Sequence, residues 1–468
     1  MQAKQQDCVL EEIVGADIGD HRLNRRLGSL LEIFANNPNK TIPAACNGWS
    51  ETIAAYRFFD NEQVTPEKIL MPHKEATIRR IKEEAIALII QDTSEIDYSH
   101  REPIEGMGPL SYECQQGFYL HPSIAVTPER VCLGVVDGYL WSREKLGRRH
   151  KHKSEPIEEK ESYRWLKGYQ VADKIAEQCP ETLIINVSDR EGDIYELLMQ
   201  TPEKNRARWL VRSTQNRQLV KDKKSRDPLT EKLWEKAKKA PKVGEIEFYL
   251  PATIERKARK VKQVVQARRV CLHPPKRTGV QLPVIEINVV LCTEKRAPKG
   301  EKALQWLLLT SVTITKPERA MEIVQWYLCR WQIEIFFKIL KSGCQIEELQ
   351  FESFARVANC LSLYMIVAWR ILYLTMLGRH CPNLSSDLVF DETEWKSVYA
   401  VTQRKKPPQK APKLNVMIKM IASLGGYLGR KHDSEPGPQV MWLGIQRMRD
   451  FAIAWEIFPG MKKRETYV

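Results

Sequence analysis

A chain of 468 residues is longer than one compact core usually carries and predicts two to four domains. Its composition, 43% hydrophobic and 28% charged, is that of a soluble globular protein and excludes a disordered or fibrous one. A formal charge of +14 favours a polyanionic partner, and apolar runs such as Ala85 to Ile90 or Leu307 to Leu309 are strand-sized, so no membrane partner is expected.

The N-terminal MQAKQQDCVLEE has no basic stretch followed by an apolar one, so no secretory signal is expected. Leu23, Leu27, Leu30, Leu31 and Phe34 then recur at helical spacing, with His21, Arg22, Arg25 and Arg26 at the start of that helix. A second helix carries Tyr56, Arg57, Phe58 and Phe59, with Ser50 as its expected N-cap. This helical module, about residues 1–70, suits DNA docking; the alternative is a helical cap on the next domain.

Around residue 71 the pattern changes. Ala85 to Ile90 is an apolar strand running into Gln91-Asp92-Thr93, and Gly117 to Val126 and Val131 to Leu140 are two more strands. A charged helix over Pro156 to Gln178 leads to the strand Thr182 to Val187, which ends in Ser188-Asp189 and runs into a helix near Asp193. Strands joined by crossover helices imply a mixed α/β sheet. From 213 to 305 the pattern is interrupted by Lys-rich strands at Ile246 to Leu250, Gln263 to Leu272 and Pro283 to Cys292, read as an inserted β subdomain. The α/β pattern resumes at Trp306, continues into a long helix from Lys316, and ends with an apolar helix over Ala355 to Leu377. Residues 379–468 read as the Pro/Lys linker Arg404 to Lys413 followed by a small helical domain.

Charge and cysteine usage narrow the chemistry. Between Lys204 and Arg277 there are 23 Lys and Arg against 7 Asp and Glu, a surplus above that of the whole chain. Such a field suits phosphate neutralisation, though a solvated basic surface reads the same way. Eleven cysteines without a CxxC pair read as reduced thiols, not as a zinc site or disulfide framework. Cys271 and His273, without a second pair, are expected to be ordinary buried residues.

Two carboxylates, Asp92 and Asp189, end buried-looking strands, where an α/β sheet places its ligands. One such aspartate is better read as a cap; two beside a basic field raise the odds of a shared divalent cation. Tyr327, Arg330, Glu334 and Lys341 are spaced so that an ideal helix gathers them within roughly 60° of one face, with Lys338 beside them. The rest of that helix is mostly apolar. The alternative is an internal Arg330–Glu334 salt-bridge ladder, which would need neither the tyrosine nor the two lysines.

Tyr327, Arg330, Glu334 and Lys341 match the Y-(2)-R-(3)-E-(6)-K signature of bacterial insertion-sequence DDE transposases, which the chain resembles. QDTSEIDYSH around Asp92, SDREGDIYELL around Asp189, APKGEKALQWLLLTS around Trp306, AAYRFFDN and IASLGGYLG are similar to the same family, which includes the transposase of the composite kanamycin-resistance transposon. The resemblance implies a ribonuclease H-like catalytic core over 71–378 with its β-rich insertion, flanked by helical N- and C-terminal domains, the last (about 414–468) contributing to dimerisation. It implies that Asp92, Asp189 and Glu334 bind two Mg²⁺ ions, with Mn²⁺ substituting. Tyr327, Arg330 and Lys341 would contact terminal phosphates, Lys338 and Arg212 would add contacts, and Trp306 would stack on a flipped base unless it is a core aromatic. Arg190 and Glu191 share the DRE motif without an assigned role. The implied reaction is cut-and-paste transposition of double-stranded DNA through a hairpin, from element ends to target DNA, by a homodimeric synaptic complex in a bacterial cytoplasm. The rival readings are a nuclease or resolvase without strand transfer and an inactive DNA-binding regulator.

Overall fold

The computed structural model describes residues 10–112, 114–144, 156–201, 203, 205–220, 231–250, 258–277 and 280–457. The first nine residues, the last eleven and parts of the basic run between Lys204 and Arg277 lie outside the described residues.

Four helices open the chain. Helix α1 (His21–Asn36) begins where the Asp20 carboxylate accepts the Arg22 N–H at 2.8 Å, and it buries Leu27, Leu30, Leu31 and Phe34, the face that the spacing predicts. The single turn α2 (Ile42–Ala45) leads to α3 (Trp49–Phe59). Gly48, not Ser50, stands at the N-cap of α3, because its φ of +114° is open to glycine but not to serine. Phe58 and Phe59 are buried in the core, so they are not presented to DNA. Helix α4 (Pro66–Lys82) starts after Thr65, whose hydroxyl accepts the Lys68 N–H.

The strands are β1 (Ile86–Gln91), β2 (Ser94–Asp97), β3 (Gly108–Pro109), β4 (Gln116–Val126) and β5 (Cys132–Trp141). After α5 (Tyr163–Gln178) come β6 (Leu183–Ser188), the short α6 (Tyr195–Leu198), β7 (Arg208–Arg212) and α7 (Leu233–Lys238). Then follow β8 (Lys242–Leu250), β9 (Arg259–Leu272), β10 (Ile285–Glu294) and β11 (Gln305–Thr310). They form one mixed sheet in the order β2-β4-β1-β6-β7-β11-β10-β9-β8, with β3 and β5 also on β4. Among the described strands, only β1–β6 and β6–β7 pair in parallel. The insertion is therefore not a separate β layer: β11 pairs with β7 on one side and β10 on the other, so β8–β10 extend the central sheet.

Both faces of that sheet are covered. Leu88 and Ile90 of β1 and Ile185 and Val187 of β6 pack into a core shared with the N- and C-terminal helices, while Ala87, Ile89 and Ile184 pack into a second core under α5. Burial on both sides is why these strands read as unbroken apolar runs.

The C-terminal half is helical: α8 (Pro317–Leu328), α9 (Trp331–Lys338), α10 (Phe354–His380), α11 (Glu392–Gln403), α12 (Leu414–Leu424) and α13 (Pro438–Ile457). Contrary to the expectation that every apolar run is strand-sized, α10 is long and apolar enough to cross a membrane, but 89% of its apolar window is buried inside the protein. Phe34 stacks on Tyr364 of α10 at 5.0 Å, and Asn359 donates to the carbonyls of Phe59 and Val64, so the N-terminal helices dock on α10. On its other end, Gly378 lies so close to Ile418 of α12 that a Cβ would meet it at 2.7 Å. One core thus runs from Ile18 to Met448.

All ten cysteines among the described residues are free. Cys271, which alternates with buried Leu272 at the end of β9, and His273 just past that strand are exposed, not buried as expected.

Candidate active site

Strands β1 and β6 run parallel with Ile90 opposite Val187, so Asp92 and Asp189 stand at equivalent positions two residues further on. Counting by two from Leu88–Ile90 and Ile185–Val187 directs both aspartates to the face that carries the C-terminal helices. Each carboxylate is tied to its own loop. The Thr93 N–H donates to Asp92 at 2.8 Å, and the Glu191 N–H donates to Asp189 at 2.7 Å. The turn after Asp189 closes tightly, since a Cβ on Gly192 would lie 2.3 Å from the Ser188 hydroxyl.

The third carboxylate arrives on α9, but not from the single long helix that the spacing predicts. Helix α8 ends at Leu328, and tight i to i−3 bonds join Tyr327 to Arg330 and Cys329 to Gln332 before α9 begins. After Lys338 the backbone widens into a π turn over Ile339–Gly343, closed by the Cys344 N–H on the Ile339 carbonyl at 2.7 Å. Tyr327 thus stands on α8, Arg330 in the link, Glu334 on α9 and Lys341 in the π turn.

Arg330 links the carboxylates. Its Nη1 donates to Asp92 at 2.7 Å and its Nη2 to Glu334 at 2.9 Å. Burial lifts the Asp92 carboxyl to about 7; Arg330 opposes this, while the nearby Asp189 and Glu334 charges reinforce it. Arg330 is itself raised, as attraction to Tyr327, Asp92 and Glu334 outweighs its burial.

The other signature side chains are engaged elsewhere. Tyr327 is buried, with its hydroxyl pushed up by burial and eased by Arg330 and Arg212. It meets Trp306 edge-on at 5.8 Å, and Trp306 stacks on Phe248 at 5.3 Å. Trp306 is buried, the position of the core aromatic that was its alternative reading. Lys341 donates to the Glu95 carbonyl at 2.5 Å and pairs with Glu347 at 3.1 Å, which pins the π turn to β2. Lys338 is exposed, and Arg212 is half-buried at the end of β7.

Sequence reasoning missed a buried polar network behind the aspartates. Gln91 donates to Asn186 and to the Trp165 carbonyl, and its own carbonyl accepts from His121 Nε2 at 2.8 Å. His121 Nδ1 then accepts the Thr93 hydroxyl, a neutral tautomer consistent with a pKa driven well down by burial. Arg164 also bonds the Thr93 hydroxyl. In the sequence Arg164 is one of many charges on a helix, and only the adjacency of Thr93 to Asp92 could have flagged this cluster.

The family comparisons bear on this geometry. Residues 5–64 match the Transposase DNA-binding family, 169–370 the Transposase DDE domain and 366–456 the Transposase Tn5 dimerisation domain. The chain is a DDE transposase. The DNA-binding match spans the first helices and the dimerisation match the last ones, which supports DNA binding and dimer formation. Asp189 and Glu334 fall within the DDE match, while Asp92 precedes it.

DDE transposases depend on divalent metal ions. The side chains present fit such an ion in kind: three carboxylates are hard oxygen donors, and the Asp189 and Glu334 charges near Asp92 are ones a cation would offset. Among the described residues, no three acidic, histidine or cysteine side chains converge closely enough to grip one ion. Arg330 stands between Asp92 and Glu334 and occupies one oxygen of each carboxylate.

Proposed function

We propose that this transposase excises its element and joins it to target DNA at a single site, in which Asp92, Asp189 and Glu334 hold two Mg²⁺ ions and Mn²⁺ can replace them. When bound, the ions would supply Lewis acidity toward the scissile phosphodiester and neutralise the charge that develops on it. Arg330, once free of a carboxylate, grips a phosphate oxygen of the element end, and Tyr327 donates a hydrogen bond to its neighbour. Lys341, Lys338 and Arg212 contact flanking phosphates and keep the backbone in line, since positioning dominates phosphoryl transfer. Trp306 takes a flipped base after parting from Phe248.

The reaction order follows the implied kinship with the transposase of the composite kanamycin-resistance transposon. Water attacks the phosphorus at the element end and releases a 3′-hydroxyl. That hydroxyl attacks the opposite strand, closing a hairpin on the element and releasing flanking DNA. A second water opens the hairpin, and the 3′-ends then displace 3′-oxygens in target DNA. Two protomers, paired through the C-terminal helices, hold the two ends in one synaptic complex.

The observation that carries this reading is the matched placement of Asp92 and Asp189 at the ends of adjacent parallel strands, with Glu334 bridged to Asp92 through Arg330. The test is Mg²⁺-dependent cleavage of a plasmid bearing the two element ends, with Glu334→Ala as control. Hairpin-ended excision products from the wild type alone are expected, with end binding retained by the variant. Cleavage by Glu334→Ala would overturn the triad. Nicks without hairpins or joining would indicate a nuclease, and binding without cleavage in either Mg²⁺ or Mn²⁺ an inactive regulator.

A further inference from the structure

The two aspartates sit on different loops, and something must set the distance between those loops. Arg164, in the first turn of α5, reaches both. Its Nε donates to the Thr93 hydroxyl at 2.8 Å, and its Nη2 to the Glu191 carboxylate at 2.6 Å. Thr93 and Glu191 are the two residues whose backbone N–H groups hold the carboxylates of Asp92 and Asp189. A single planar group thus grips, by their side chains, the two residues whose amides orient both aspartates.

The guanidinium is held on its other sides as well. Its Nη1 donates to the Glu161 carbonyl at 2.8 Å, and its centre lies 5.5 Å from the ring centroids of Trp141 and of the fully buried Trp165. Thr93 is anchored from behind by the His121–Gln91 relay, which gives Arg164 a buried partner to brace against. The fork geometry matters: an ammonium at this position offers one donor atom and cannot address two loops in two fixed directions.

We propose that Arg164 is a positioning residue that braces the Asp92 loop against the Asp189 loop and so sets the affinity of the site for divalent cation. This also gives Glu191 of the DRE motif its role, as the anchor on the Asp189 side. The inference rests on the assignment of Asp92, Asp189 and Glu334 to cation binding.

The experiment measures Mn²⁺ binding to the full-length protein without DNA, by electron paramagnetic resonance of free Mn²⁺. The melting temperature in EDTA and the Mg²⁺ dependence of cleavage are recorded alongside. Loss of an outer partner of a metal ligand typically weakens binding about 10–100-fold. Arg164→Gln should weaken Mn²⁺ binding by that order and raise the Mg²⁺ needed for half-maximal cleavage. Arg164→Lys should not restore either quantity. Arg164→Gln combined with Glu191→Gln should cost no more than Arg164→Gln alone, because both remove one strut. A lower melting temperature with unchanged Mn²⁺ affinity and unchanged Mg²⁺ dependence would overturn the proposal and leave Arg164 as a fold anchor. Asp189→Asn separates the two claims. If it binds Mn²⁺ like the wild type, the triad assignment fails; if it loses Mn²⁺ while Arg164→Gln keeps it, the strut alone fails. A wild type that binds no Mn²⁺ and cleaves without added Mg²⁺ would overturn both.

Discussion

At the scale of single residues, Arg330 ties two carboxylates of the candidate site together, and a cation bound there would compete with it for them. Its two carboxylate bonds offset repulsion among three acids in a partly buried place. Arg330→Gln should therefore lower the melting temperature in EDTA, yet show a larger rise on adding Mn²⁺ than the wild type, because no guanidinium competes. A smaller rise would mean that Arg330 supports the bound cation instead. A second residue-scale device ties the N-terminus to α4. His73 is fully buried; its Nδ1–H faces Glu12 at 2.6 Å, and its Nε2 accepts the Val135 N–H at 2.9 Å, which requires the neutral ring. Burial holds His73 below its ordinary value, and the His73 and Arg80 contacts, outweighing burial, hold Glu12 below its own. The folded state thus resists protons that the unfolded chain takes up. Stability from His73 is complete above about pH 6.5 and declines as pH falls below it, by up to about 1.4 kcal/mol per pH unit. Glu12 adds a decline of the same sign once pH falls below its unfolded value of 4.5. Melting curves from pH 8 to 5 should show this fall, and His73→Asn should make it shallower without abolishing it, because buried His121 contributes a decline of the same sign.

At the scale of elements, the docking of α5 on β1 is unusually close. A Cβ on Gly168 would lie 2.0 Å from the Gln91 amide oxygen, and Gln91 is already committed to His121, Asn186 and Trp165. Glycine to alanine inside a helix normally stabilises by roughly 1 kcal/mol. Here Gly168→Ala should instead destabilise by about 1–3 kcal/mol, the usual penalty of overpacking. Chemical denaturation decides between the signs, and cleavage should fall too, because Gln91 precedes Asp92. Much at this scale was legible in the sequence. β1 and β6 announce themselves as apolar runs, and their final aspartates follow. β7 did not stand out, being five residues with an arginine at each end. The break between α8 and α9 was illegible because no glycine or proline marks Cys329–Arg330, and the tightening shows only in backbone bonds. The joining of β8–β10 to the central sheet was equally hidden, since strand pairing between distant segments leaves no local pattern. Arg164 escaped notice for the same reason: both of its partners are remote in the chain.

At the scale of the molecule, charge and core make different demands. Within the basic run between Lys204 and Arg277, the described strands β8 and β9 form one edge of the sheet and expose Lys242, Lys260 and Lys262. If six or more phosphates are neutralised in the complex, affinity for DNA should drop about a thousandfold or more between 50 and 200 mM salt. A binding isotherm that barely moves over that range would assign the lysines to solubility alone. The single core from Ile18 to Met448 has another consequence, in the order of synthesis. Phe34 leaves the ribosome long before Tyr364, the ring it stacks on. At about 5–20 residues per second, roughly 15 s to a minute separates them. Through that interval the helices that will bind DNA carry an uncovered apolar face. A nascent chain cut short before α10 has made the DNA-binding module without the surface that holds it in shape.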